Sequence, residues 1–156
     1  MRKNSTPDHL ICSNRKARFR FNLLEQLECG MVLEGTEVKS LRDRAVSLEE
    51  AYVRIENSGL WLIGCHIAAY PYGHTRNHEP LRRRKLLAHR REIDRLLPKV
   101  TQRGLTIVPV AMYFSSRGMA KITVALAKGK TLGDKRQALK ARDDRREMER
   151  TMRTRR

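Results

Sequence analysis

Acids are scarce in this chain. Across 156 residues, 17 Asp and Glu stand against 34 Lys and Arg, a net charge of +17 with a pI of about 10.7. A compact fold with that imbalance repels itself, and a polyanionic partner relieves the repulsion. Cysteine is nearly absent too: Cys12, Cys29 and Cys65 are odd in number and widely spaced, which excludes a disulfide framework and a zinc pattern. Isolated reduced thiols are expected. No window approaches the ~18 apolar residues of a membrane span, and MRKNSTPDHLIC at the N-terminus lacks the apolar stretch of a secretory signal. The expectation is a cytoplasmic protein without a membrane partner.

Catalytic signatures are missing as well. There is no nucleophile motif, no phosphate-cradling glycine loop and no cluster of acids for two-metal chemistry. KGKTLGD (128–134) lacks the P-loop spacing, and His74, His78 and His89 have no carboxylate or Cys at ligand spacing. No metal, no cofactor and no small-molecule substrate are expected, and an enzyme is disfavoured.

What is present is a run of short β patterns with helical inserts. Residues 1–13 have no period and predict a loose arm. Phe19, Phe21 and Leu23 alternate with polar residues as in a half-buried strand, and Met31-Val32-Leu33 predicts another, with bends at Gly30 and Gly35. In TEVKSLRDRA, Val38, Leu41 and Ala45 fall at helical spacing behind Thr36 as N-cap, and SLEE (47–50) has the capping-box pattern. AYVRIE and LWLIGCHI flank Asn57-Ser58-Gly59 as a hairpin. A second hairpin flanks SSRG, with Pro109 marking a bulge or an edge position. About six strands and two or three helices predict a mainly β fold, a small antiparallel barrel of the OB-like kind with peripheral helices.

Between the hairpins lies the strongest charge signal. Residues 81–97 place Leu86, Ile93 and Leu97 on one helical stripe beside Leu96, with Arg84, Arg91 and Arg95 opposite. Leu96-Leu97-Pro98 predicts an interruption, and Gly104 closes the helix. Segment 81–103 carries nine cations against two acids, too few for i,i+4 pairing to account for the run. Lys85 and the arginines are therefore candidate phosphate contacts, with Lys39 and Arg42 on the shorter helix beside them. Residues 128–156 carry twelve cations and five acids, and Val, Ile and aromatics vanish there. This composition predicts a disordered basic tail that becomes helical on a polyanion, with Leu139, Met148 and Met152 as its few apolar contacts.

These residues resemble the SmpB family, the SsrA-binding proteins of bacterial ribosome rescue. The matching segments are NRKAR (14–18), GTEVKSLR (35–42), the P-x-R-x-RKLL part of PLRRRKLL (80–87) and ALAKGKTLGDKR (125–136), in the family's order and spacing. The resemblance implies an OB-like barrel at 14–130, a basic tail at 131–156, and a non-enzymatic adaptor. Its partners would be the tRNA-like domain of tmRNA and the ribosome, including the small-subunit rRNA of the decoding centre. The family's RNA-contact positions fall on Glu28, Leu87 and Lys121. Its ribosome-contacting tail falls on Lys128, Lys130, Asp134, Lys135 and Arg136, with Met152 further out. On the physics, Lys121 suits phosphate, Leu87 suits an unstacked base or sugar, and Glu28 suits base amino groups.

Three positions depart from the family pattern. Gly133 stands where many relatives carry His or an aromatic residue, Phe19 replaces a histidine, and Glu79 replaces the Asp expected to cap the basic helix. Two rival readings remain at this point, a general OB-type ribosomal or translation factor and a small nuclease or RNA-modifying enzyme.

Overall fold

Two turns and one proline arrange much of the sheet in the computed structural model, which describes residues 9–154. Asn57 and Ser58, with φ of 47° and 60°, form the tight turn between β4 (Tyr52–Glu56) and β5 (Gly59–Ile63). Both central residues lie in the left-handed region that a two-residue hairpin requires. The second hairpin joins β8 (Thr106–Phe114) to β9 (Ala120–Gly129), and its register slips between Pro109 and Ala111. Proline has no N–H for a ladder, so the bulge falls where the sequence predicts it. The bulge is also used: Asn14 donates its N–H to the Val110 carbonyl (2.8 Å) and its side-chain amide to the Pro109 and Leu48 carbonyls (3.1 and 2.9 Å).

The remaining strands are β1 (His9–Ser13), β2 (Phe21–Met31), β3 (Val46–Ser47), β6 (His66–Ile67) and β7 (Arg84–Leu87). All strand pairs are antiparallel. The main sheet runs β1-β8-β4-β5-β7-β2-β9, and β9 pairs back onto β8, so the hydrogen-bonded neighbours form a cycle. β3 and β6 pair separately. Helices α1 (Arg15–Arg20), α2 (Gly35–Arg42), α3 (Arg90–Arg103) and α4 (Leu132–Thr154) lie outside this sheet.

The core is aliphatic, built around Leu41, Leu60, Leu62, Ile67, Ile107, Met112, Ile122 and Val124. None of the eight aromatic side chains is fully buried: Phe19, Tyr52 and Tyr72 are exposed and the other five half-buried, Phe114 among them packing against the edge of this core.

Several expectations are corrected. Residues 9–13 are no loose arm but strand β1 on β8; residues 1–8 lie outside the described range. Phe19 belongs to α1, because Asn14 caps that helix by accepting from the Ala17 N–H (3.0 Å). β2 is one strand of 11 residues where two were expected, since Gly30 fits within it. Thr36 is not the cap of α2: Glu34 holds that place, and Glu37 accepts from its N–H (2.8 Å). SLEE starts no helix; Ser47 pairs with His66 in the β3–β6 ladder and Leu48 is buried.

The largest correction concerns the basic helix. Residues 84–87 form β7, paired with β5 and β2, and α3 begins only at Arg90 behind His89, where Glu92 accepts from the His89 N–H (3.0 Å). Glu79 therefore caps nothing there. Strand pairing decides the matter: Arg84, expected opposite Leu86, shares its buried face, while Lys85 and Leu87 point outward. In α3 the inward stripe is Ile93 and Leu96 with Val100; Leu97 is exposed. The helix runs through Pro98 to the left-handed Gly104 (φ 61°).

The tail is not an irregular segment. α4 extends over 23 residues, and its first turn is closed reciprocally. Asp134 accepts from the Thr131 N–H (3.1 Å) and hydroxyl (2.7 Å), while the Asp134 N–H donates to the Thr131 hydroxyl (3.3 Å).

Candidate nucleic-acid interface

Gly30 lies at the centre of the site. Its neighbour on β7 is Leu87 and its neighbour on β9 is Lys121, so the pairing of three strands brings together residues far apart in the chain. Glu28, two positions earlier on β2, shares the outward face. A Cβ on Gly30 would stand 3.3 Å from Leu87 Cβ, tighter than ordinary contact, so glycine is what lets Leu87 lie flat against the strand. Leu87 is 52% exposed.

Lys121 Nζ lies 2.5 Å from Glu28 Oε1, and the Tyr113 hydroxyl donates to the same carboxylate. Tyr113 stands opposite Lys121 on β8. Burial, and then the Glu28 carboxylate, push the phenol well above its usual range and keep it a donor. Tyr113 is the member of the site that reading the sequence misses; its only signal is the β8–β9 register. Between β2, β7 and the start of α3 opens a shallow cavity of about 410 Å³, lined among others by Glu28, Gly30, Leu87, His89, Glu92 and Lys121. An apolar platform, a cation and a fixed acceptor within one cavity suit a base or sugar on Leu87 and a phosphate on Lys121.

The cation run distributes differently from the expectation. Arg84 is fully buried; it donates to Glu37 (2.7 Å), to the Cys65 carbonyl (2.7 Å) and to the Pro80 carbonyl (3.0 Å). It cannot reach RNA, and its place among the candidate contacts is withdrawn. Arg82 also pairs with Glu37 (2.7 Å), Arg83 with Glu56, and Arg90 with Asp94 (3.0 Å). Arg95 and Lys99 share Glu25 at 2.5 Å each. The hydrogen bond from Lys99 holds the Glu25 carboxyl below its usual range, with Arg95 adding to the effect. The acids missing from the helix are thus supplied by other elements. Lys85 and Arg91, both exposed, form no ion pair among the described residues. Lys39 and Arg42 are exposed on α2, Lys39 lying 5.2 Å from the Tyr70 ring centroid, and neither lines the Leu87 cavity.

The tail candidates divide as well. Lys130 is tied down: its backbone N–H donates to the Arg20 carbonyl and its ammonium to the Arg18 carbonyl, both at 3.0 Å, fixing the root of α4 on α1. Asp134 serves the capping box, and the hydrogen bonds from Thr131 hold its carboxyl below the usual range. Lys128 and Arg136 are exposed, Lys135 is half-buried, and Met152 is 73% exposed.

His78 is buried, its ring nitrogens 2.9 Å from the Thr36 hydroxyl and 3.0 Å from the Ile67 carbonyl, so it serves packing. No group of three metal-ligating side chains occurs among the described residues, and no described helix is long and apolar enough to cross a membrane.

The class this defines is a mainly β, antiparallel protein with a large surplus of basic charge and an open outward site of Leu87, Lys121 and Glu28. A family model described as SmpB protein matches residues 11–154, and the chain belongs to that family. It is 49% identical over 153 residues to an SsrA-binding protein of Brucella canis, covering 98% of this chain and 97% of that one. To an SsrA-binding protein of Rhodopirellula baltica it is 47% identical over 150 residues, covering 96% and 84%. A solved structure described as "tmRNA-SmpB: a journey to the center of the bacterial ribosome" matches with a TM-score of 0.66 at 44% identity, over 82% of this chain and 93% of the other.

Proposed function

We propose that this chain is a non-enzymatic, cytoplasmic adaptor that binds the tRNA-like part of tmRNA and carries it to stalled ribosomes for trans-translation. Residues 14–130 act as an OB-like barrel holding the RNA at Glu28, Leu87 and Lys121, with Lys85, Arg91 and Arg95 contributing charge beside them and Lys39 and Arg42 on α2. Residues 131–156 act on the ribosome, in the decoding region and the empty mRNA path, with Lys128 at their root.

The observation that carries this reading is the meeting of Leu87 and Lys121 on either side of Gly30, at the family's own contact positions. SsrA-binding relatives of nearly the same length support the choice of RNA. Competition tests it: bound tmRNA should survive a tenfold excess of bulk tRNA. Displacement by bulk tRNA would instead favour a general translation factor. If about six phosphates are neutralised, log K should fall against log salt with a slope of roughly −4 to −5. A slope near zero is incompatible with the proposal.

A further inference from the structure

The outward face of the sheet does not end at Leu87. Lys85 lies two residues back on the same side of β7, and Lys85 stands opposite Trp61 on β5, which stands opposite Arg54 on β4. The inward neighbours Leu60, Leu62 and Leu86 are buried, so these three side chains share one outer row. The Arg83 guanidinium lies 5.3 Å from the Trp61 ring centroid and is held by Glu56. Arg54 lies 6.0 Å from the Tyr52 ring and reaches the same Glu56 at 3.4 Å. Gly59 flanks the indole, with 3.6 Å between its would-be Cβ and the indole nitrogen.

Aromatic rings bury more apolar area than other side chains, yet none of the eight is fully buried in this fold. Trp61 is the largest, and it is set among cations. Arg54, Arg83 and Lys85 surround it with one acid, Glu56, whose charge the two arginines already answer. A protein partner would want an apolar patch here; a charged rim around one indole and one guanidinium plane suits a nucleobase and its phosphates instead. By strand geometry, two residues along and one strand across place Trp61 roughly 8 Å from Leu87, a step that a short stretch of extended RNA spans.

We propose that Trp61 and Arg83 form a second stacking station for the same RNA, with Lys85 and Arg54 taking its phosphates. An unstacked base lies on the Trp61–Arg83 pair while the neighbouring nucleotides occupy Leu87 and Lys121. This rests on the RNA reading above and adds a contact that reading does not contain.

Trp61 is the chain's single tryptophan, so its fluorescence reports on this station alone. The full-length protein is titrated with a transcript of the tmRNA tRNA-like domain, while anisotropy of the labelled transcript gives the affinity independently. Indole emission should change saturably with the same midpoint as the anisotropy. Trp61→Ala should bind about tenfold more weakly, and Trp61→Phe should recover most of the loss. Lys85→Ala should lower the salt slope by roughly one. Unchanged emission from the wild-type protein, with anisotropy still showing binding, overturns the station and leaves the RNA reading standing. Wild-type affinity in Trp61→Ala overturns it in the same way. Absence of binding by anisotropy removes both.

Discussion

Glu37 and Arg84 are both fully buried and meet at 2.7 Å although 47 positions apart in sequence. The pair ties α2 to β7, and β7 carries Leu87. Arg84 also satisfies the buried Cys65 carbonyl and the half-buried Pro80 carbonyl, so its fork is used on three sides. Arg84→Ala should cost roughly 3–5 kcal/mol of unfolding free energy, because it takes one of two arginines from a buried carboxylate and leaves two carbonyls without their donor. Arg84→Lys should recover little, since an ammonium lacks the planar fork. Urea denaturation of both variants measures this, and a loss below about 1 kcal/mol would mean the pair is no better than a surface contact.

The same carboxylate sets a pH dependence. Burial pushes Glu37 upward, but hydrogen bonds from Arg82, the Glu34 N–H and Arg84 outweigh it, and its pKa ends below the usual range. A lowered folded-state pKa stabilises fully above the unfolded value of about 4.3, and the contribution is lost as pH falls through the folded value. Unfolding free energy of the wild type should therefore drop as pH falls below about 4.3. Glu37→Gln should start lower and lose less over that window. Parallel acid titrations of the two proteins would refute this assignment.

Cysteine reactivity follows from burial. Cys29 and Cys65 lie in the core, and burial lifts each thiol to about 12. Thiolate is the reactive form, so neither should be alkylated at pH 8 in the native state, while half-buried Cys12 reacts slowly. Mass spectrometry should show at most one adduct before denaturation and three after. Early labelling of Cys65 would mean that the sheet opens readily around it.

α4 should depend on its cap. Its large apolar residues Leu132, Leu139, Met148 and Met152 are all exposed, so packing gives it little support. A capping box contributes about 1 kcal/mol, a large share for such a helix. Replacing Thr131 and Asp134 by Ala should reduce the far-ultraviolet helical signal while leaving the unfolding midpoint of the β domain nearly unchanged. An undiminished signal would show that the cap is dispensable.

Local chemistry made much of this fold legible in the sequence. Asn57-Ser58 allowed one kind of turn, Pro109 could not join a regular ladder, and Gly104 invited a left-handed helix end. The thinning of Val, Ile and aromatics after residue 128 separated tail from core. Charge excess and the family motifs pointed to RNA, because net charge survives any arrangement of the chain. By contrast, RRRKLL satisfied a helical pattern as well as a strand, and nothing nearby in sequence distinguished them. The choice was made by β5 and β2, which offered ladder bonds on both sides, and by Glu37, which made a buried arginine tolerable. Which cations were left for a ligand, and that Tyr113 and Trp61 lie on either side of Leu87 on one outward face, depended on strand register. Register is a relation between segments remote in sequence, so only tertiary structure decided it.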